Sequence, residues 1–190
     1  MKIILGSSSI PRRSILEEAG YKFSIVKPDI DEKAIRIKDY YKLPLLIAQE
    51  KSKAVQIKVT EPAIIITADQ VVVWNGELRE KPSSEKEARA FLESYSKNPH
   101  IPIECVNGLV VLNTKTGKTV GDIHISKIFF NPFPDEVIAA AIQDGNILNY
   151  AGGFSVDVFF SPFIKRIEGG RDSILGMPLD LLVELIYQVS

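Results

Sequence analysis

A mixed α/β fold, with antiparallel strands beside parallel ones, is the class this sequence predicts. Three observations carry it. Short apolar runs alternate with amphipathic helical patterns through the first half of the chain. Asn75-Gly76 lies between two strand-like runs in VVVWNGELR, where it makes a favoured two-residue hairpin turn. Two long strand patterns, residues 103–112 and 119–130, flank the turn sequence NTKTG and are therefore expected to run antiparallel. A simple doubly wound parallel sheet would not contain them.

The elements follow in order. Met1 to Leu5 read as a buried strand, since Ile3, Ile4 and Leu5 form an apolar run cut off at Gly6. Pro11 suits the first turn of a helix whose apolar positions are Ile15, Leu16 and Ala19 and which Gly20 stops. Tyr21 to Val26 alternate as a strand before PDIDEK turns polar. Leu43 to Ile57 predict a helix with Pro44 near its start, and AIIIT (63–67) predicts a second buried strand ending at Asp69. SSEKEARAFLESYS predicts a helix with Ser84 and Glu87 at capping-box spacing. PDEVIAAAIQDG predicts another, residues 154–168 read as mostly strand and loop, and MPLDLLVELIYQV closes the chain as an amphipathic helix.

Composition narrows the function classes. A chain of 190 residues can form one substantial core or two modest lobes. A net charge of −1 gives no global attraction to nucleic acid or to an anionic membrane, so an anionic ligand must be met by a local basic cluster. Basic–aromatic interleaving of the RNA-binding kind is missing. The lone Cys105 sits in the apolar run ECVNGLVVL and reads as an inert core thiol in a reducing compartment. No apolar run approaches the ~20 residues of a membrane span, and the N-terminus carries neither a secretory nor a transit pattern. A cytoplasmic protein is expected.

Polar residues mark the candidate chemistry. GSSSIPRR, TADQ and REKP each deliver charge just after a strand-like run, where a rigid sheet presents side chains to solvent. Arg12 and Arg13 in a first helical turn oppose the helix dipole, a penalty that an anion held at the helix start would reverse. Two solvated surface arginines are the bland alternative. Lys51 has Ile47, Ala48, Ala54 and Val55 three and four residues away, which puts it on the buried face of its helix. There a lysine either snorkels to the surface or reaches inward to a shared anion. Asp29, Asp31 and Glu32 in PDIDE, with Asp69, offer hard oxygen ligands of the kind Mg2+ takes together with phosphates and water. His100 and His124 show no partner pattern, and the P-loop, Rossmann, HExxH and CxxC signatures are missing. The residues alone reach a metal-dependent enzyme acting on a phosphoester or phosphoanhydride.

The motifs LGSSSIPRRSILEEAGYKF, DIDEK, LLIAQEKSKAV, ITADQVVVWNGELREKP, LNYAGGF and GMPL, in this order, resemble the Maf-like family, also called septum-formation-inhibitor proteins. The resemblance implies a single domain over residues 1–190 with an elongated mixed sheet flanked by helices, two lobes with a cleft between them, and commonly a homodimer. It implies a nucleoside triphosphate pyrophosphatase that cuts between the α- and β-phosphates with a divalent metal, Mg2+ or alternatively Mn2+. By motif, Ser7, Arg12 and Arg13 look like the phosphate-binding entry loop, and Glu32 like a metal ligand. Lys51 and Lys81 match catalytic lysines, and Asp69 matches the proton acceptor, which would also touch the metal. Pro11, Gln70 and Asp157 fall at positions linked to substrate choice.

Gln70, where many members have Thr, and Asn149-Tyr150, where many have Asp-Lys, look similar to the subgroup acting on 7-methyl-GTP. Pro11 replaces a tryptophan and Asp157 a glutamate of that subgroup, so a dTTP/UTP preference stays open. The resemblance leaves room for a second class, a nucleotide-binding regulator of cell division that does not hydrolyse its ligand.

Overall fold

The computed structural model describes residues 1–156 and 159–190. Among these residues the strands form a mixed seven-stranded sheet with the order β2-β1-β3-β5-β6-β7, and β4 paired to β3. The strands are β1 Lys2–Leu5, β2 Phe23–Ile25, β3 Ala63–Trp74, β4 Glu77–Arg79, β5 Ile103–Asn113, β6 Thr119–Phe130 and β7 Ile164–Glu168. The helices are α1 Ile10–Glu18, α2 Leu43–Gln56, α3 Glu85–Lys97, α4 Asp135–Asp144, α5 Arg171–Ile174 and α6 Leu179–Val189. β1 runs parallel to both β2 and β3, whereas β3–β4 and β6–β7 are antiparallel. The mixed α/β class is as the sequence predicts. No helix among the described residues is long and apolar enough to cross a membrane.

One expectation fails instructively. The sequence predicts a strand that ends at Asp69, followed by a separate hairpin, but β3 is a single strand of 12 residues running through Asp69 to Trp74. It stays buried almost throughout because apolar residues resume at once after the polar insert. The insert survives in the interior because each polar side chain finds a partner. Thr67 Oγ1 donates to the Ala48 carbonyl at 2.8 Å, and Asp69 and Gln70 are held by the contacts described below. The predicted hairpin then forms on the end of β3, with Trp74 opposite Glu77 and positive φ at Asn75 and Gly76. Residues 154–168, read as strand and loop, contain a 3-10 turn, Ser161–Phe163, and β7, while α5 was not foreseen.

The chain divides into two compact units; three of the four boundaries fall within β3, β5 and β6, and the fourth lies between Gly169 and Gly170. The first comprises residues 1–70, 106–125 and 170–190. Its core packs Leu5, Ile66, Leu109 and Val111 of the sheet against Leu16 of α1 and Leu182 and Leu185 of α6. On a second cluster, Val55 of α2 meets Ile4, Ile65 and Leu112. The second unit comprises residues 71–105 and 126–169. Its interior is aromatic: Phe130 contacts Phe133, Phe154 and Phe160, and Tyr95 packs edge-on to Trp74 and Phe154. Cys105 is buried and its thiol is pushed up to about 12 by burial alone, so it is inert.

Candidate active site

Three elements of the first unit converge on the middle of β3. The turn after β1 is drawn in by Gly6, whose N–H donates to the Ile66 carbonyl at 2.8 Å. A Cβ on Gly6 would lie 2.5 Å from Thr67 Cγ2 and 2.9 Å from Val55 Cγ2, so only glycine lets the loop approach β3 and α2 this closely. α1 then starts with Pro11 in its first turn, no acidic residue there and no side-chain cap on its N–H groups. Such a start leaves positive partial charge facing the loop.

Arg12 does not sit on the surface. It is buried, and its guanidinium donates from Nε to the Gly176 carbonyl at 2.9 Å and from Nη1 to the Ala68 carbonyl at 2.9 Å and Ser7 Oγ at 3.4 Å. Nη2 keeps no protein partner among the described residues. Burial pushes the Arg12 pKa down while Asp69 and Glu32 pull it up. Ser7, also buried, accepts both from Arg12 and from the Ser9 N–H at 3.2 Å, which folds the serine loop around the helix start.

Lys51 comes from α2 and reaches inward, as its apolar neighbours imply, with a side chain only 5% exposed. Its Nζ binds Asp69 Oδ1 at 2.8 Å and Glu32 Oε2 at 3.0 Å, and lies 3.5 Å from the same Ala68 carbonyl that Arg12 uses. Snorkelling is thereby excluded. Asp69 is buried, and desolvation pushes its carboxyl above the ordinary range, opposed by Lys51 and Arg12 and reinforced by Glu32. Its Oδ2 has no hydrogen-bond partner among the described residues. The result is two cations that share one carbonyl and two carboxylates held by one of them, with an open guanidinium edge and an open carboxylate oxygen.

The PDIDE acids separate. Asp29 pairs with Lys58 at the surface, and Asp31 caps the 3-10 turn Glu32–Ala34 by accepting from the N–H groups of Lys33 and Ala34. Glu32, half-exposed, is the acid of that segment that meets Lys51. Glu32 and Asp69, held by one ammonium, suit a hard divalent cation that takes one or two protein carboxylates and fills its shell with phosphate oxygens and water. Among the described residues no three His, Cys, Asp or Glu side chains gather as an all-protein cage.

Other predicted positions lie elsewhere. Arg13 is exposed and binds Glu17 Oε1 at 2.9 Å, one turn along its own helix, so it does not share the Arg12 contacts. Pro11 is exposed. Lys81 is exposed and belongs to the second unit. Asp157 lies outside the described residues.

Gln70, half-buried, is gripped by residues that sequence reasoning did not single out. Its amide nitrogen donates to the carbonyls of Ile174 and Ser173 and to Asn107 Oδ1, at 3.0, 3.1 and 3.1 Å. Asn107 is a fully buried polar residue within the apolar strand β5, and that mismatch was the available signal.

The profile of the family described as Maf-like protein matches residues 2–189. The chain is 41% identical to a 7-methyl-GTP pyrophosphatase of Dictyostelium discoideum, covering 99% of this chain and 97% of that protein. It is 33% identical to a dTTP/UTP pyrophosphatase of Clostridium perfringens strain SM101, covering 98% and 96% respectively. A nucleoside triphosphate pyrophosphatase of Synechococcus strain JA-2-3B'a(2-13) is 30% identical, over 99% of this chain and 94% of the relative.

Proposed function

Because this chain belongs to the Maf-like family, we propose that it is a nucleoside triphosphate pyrophosphatase, and that its preferred base is of the 7-methyl-GTP kind. The observation that carries the reading is the Arg12–Lys51–Asp69–Glu32 cluster, a buried pair of cations that share the Ala68 carbonyl, one of which holds both acids. A protein that only senses a polyphosphate needs the cations but not a buried, desolvated carboxylate beside them.

Arg12, through Nη2, binds phosphate oxygens, helped by the charge of Lys51 beside it, the Ser7 hydroxyl and the start of α1. A Mg2+ ion held by Glu32 and Asp69 would supply charge neutralisation at the phosphates. Asp69 Oδ2 accepts a proton from a water whose oxygen forms a bond to the α-phosphorus. The bond from that phosphorus to the bridging oxygen breaks, its electron pair stays on pyrophosphate, and the nucleoside monophosphate remains. Positioning and preset charge supply most of the acceleration. Lys81 and Arg13 belong to the proposal through the resemblance, as phosphate ligands, and Pro11, Gln70 and Asp157 as determinants of base choice. A homodimer and a cytoplasmic setting complete the reading.

The test is pyrophosphate release with Mg2+ from a panel of 7-methyl-GTP, dTTP, UTP and the common triphosphates. Release fastest from 7-methyl-GTP supports the full reading. Preference for dTTP and UTP moves the chain to the other subgroup. Tight binding with no release from any member favours the regulator.

A further inference from the structure

The segment that ends in GMPL was singled out in the sequence, and the proposed chemistry above does not use it. It is rigidly held. The Asp172 carbonyl accepts from the Met177 N–H at 2.9 Å, and the Asp172 carboxylate accepts from the Leu179 N–H at 2.7 Å. Three of its carbonyls face the site: Gly176 binds Arg12, while Ser173 and Ile174 bind Gln70.

The consequence falls on Gln70. A side-chain amide can both donate and accept, so a free glutamine tells little about its ligand. Here the two N–H groups are shared among three oxygens at 3.0 to 3.1 Å. Two of those oxygens are backbone carbonyls, which only accept, so the amide nitrogen must be the atom facing them. The third is fixed as well, because Asn107 Nδ2 donates to the Ser173 carbonyl at 2.9 Å and to Ser173 Oγ at 3.1 Å, turning Oδ1 toward Gln70. Every donor on Gln70 is therefore spent on the protein. Its Oε1 has no partner among the described residues and borders the space above Gly176, where a Cβ would lie 3.6 Å from Oε1 and 3.4 Å from Arg12 Nη2. Gly176 has a φ of +95°, so a side chain is disfavoured there on backbone grounds too. The open oxygen of Gln70 and the open edge of Arg12 thus both lie within 3.6 Å of one point beside Gly176.

We infer that Asn107 and the carbonyls of Ser173 and Ile174 set the polarity of substrate recognition: Gln70 meets the bound nucleotide as an acceptor only, so the base selected is one that offers an N–H group there. Asn107 is a positioning residue, acting on the base through Gln70. The inference rests on the proposed reading of this site as a nucleotide site. It adds which face of the amide is presented and what the ligand must bring. Guanine-type bases carry such a donor at N1, and uracil and thymine at N3.

The experiment measures binding by calorimetry with Mg2+ and non-hydrolysable α,β-methylene triphosphates. The probes are those of 7-methylguanosine, guanosine and uridine, each against its form methylated at N1 or N3, which lacks the N–H. In the wild-type protein, methylation of whichever base binds is expected to weaken binding at least tenfold more than in Gln70→Met. That variant retains the steric effect of the methyl group and lacks the acceptor. In Asn107→Ala, where the amide nitrogen loses one of its three acceptors and keeps the carbonyls of Ser173 and Ile174, the excess is expected to shrink and not to vanish. Independently of ligand, the side-chain N–H resonances of Gln70 should be protected from hydrogen exchange in the wild type and less protected in Asn107→Ala. An equal methylation penalty in wild type and Gln70→Met overturns the inference, as does unprotected Gln70 or failure of every parent nucleotide to bind. Retained discrimination in binding with no pyrophosphate release would remove the pyrophosphatase reading and leave this one standing.

Discussion

Lys51 holds Asp69 and Glu32 at once, at 2.8 and 3.0 Å, from a position where water barely reaches it. Opposite charges in a desolvated setting are retained only where geometry is good, and breaking one partner leaves the other exposed to its full desolvation cost. The Asp69 carboxyl shows how close that balance is, since burial pushes its pKa up even with two cations beside it. The sign matters for pH. A carboxyl with a raised folded pKa binds its proton more tightly when folded, so its contribution to stability falls as pH rises from the unfolded value, about 3.9, through the folded one. As a base it works only when ionised. The acid limb of kcat/KM is therefore expected above the ordinary carboxylate range, and Lys51→Met, which removes a cation that lowers the pKa, should move the residual limb to higher pH. A pH profile of pyrophosphate release checks both, and a limb that Lys51→Met leaves in place would remove Asp69 from the role. Asp69→Asn should lower turnover by about 10²–10⁴-fold, the usual contribution of a positioned base, with nucleotide binding by calorimetry largely kept.

At the scale of elements, α2 carries Lys51 and must be held against the sheet with little play. Gly108 of β5 does this by having no side chain. A Cβ there would fall 2.1 Å from Leu45 N and 2.3 Å from Pro44 C, on the backbone at the start of α2. Backbone of that kind does not yield as a flexible side chain would, so Gly108→Ala must push the helix off the sheet. Overpacking typically costs about 1–3 kcal/mol, which for a chain of this length lowers Tm by roughly 2–12 °C. Scanning calorimetry should show that fall, and kcat should fall with it because Lys51 moves with its helix. α2 also shows what the sequence could convey. The apolar residues three and four positions from Lys51 placed it inward, because helix geometry is local and periodic. The twelve-residue span of β3 was hidden because TADQ looks like an ending, and the partners that make those polar residues tolerable come from Ala48, Lys51, Asn107 and Ser173. The carbonyls of Ser173, Ile174 and Gly176 were invisible for the same reason, and Asn107 showed only as a polar residue in an apolar run. Their role is a contact across the fold, and no short stretch of sequence records it.

For the whole molecule, the net charge of −1 means that attraction for a polyphosphate has to come from the local cluster. That cluster is itself balanced, two buried cations against two carboxylates, so a bare triphosphate with several negative charges would meet repulsion from Glu32 and Asp69 as well as attraction from Arg12 and Lys51. A divalent cation between the acids and the phosphates converts that repulsion into attraction. Binding should then be strongly mutual: nucleotide and metal each raise the affinity for the other by the same factor. Because a ligand that binds only the folded chain stabilises it by about 2.7 kcal/mol at a hundred times its Kd, the effect is readable as a shift in Tm of roughly 5–10 °C. The expected pattern is a clear rise with Mg2+ and an α,β-methylene triphosphate together, and a rise several-fold smaller with either alone. Glu32→Gln removes one of the two acids, and should weaken the dependence on metal more than it weakens binding of the nucleotide alone. Equal shifts with and without Mg2+, measured in the presence of a chelator for the metal-free arm, would show that the acids do not hold a cation for the phosphates.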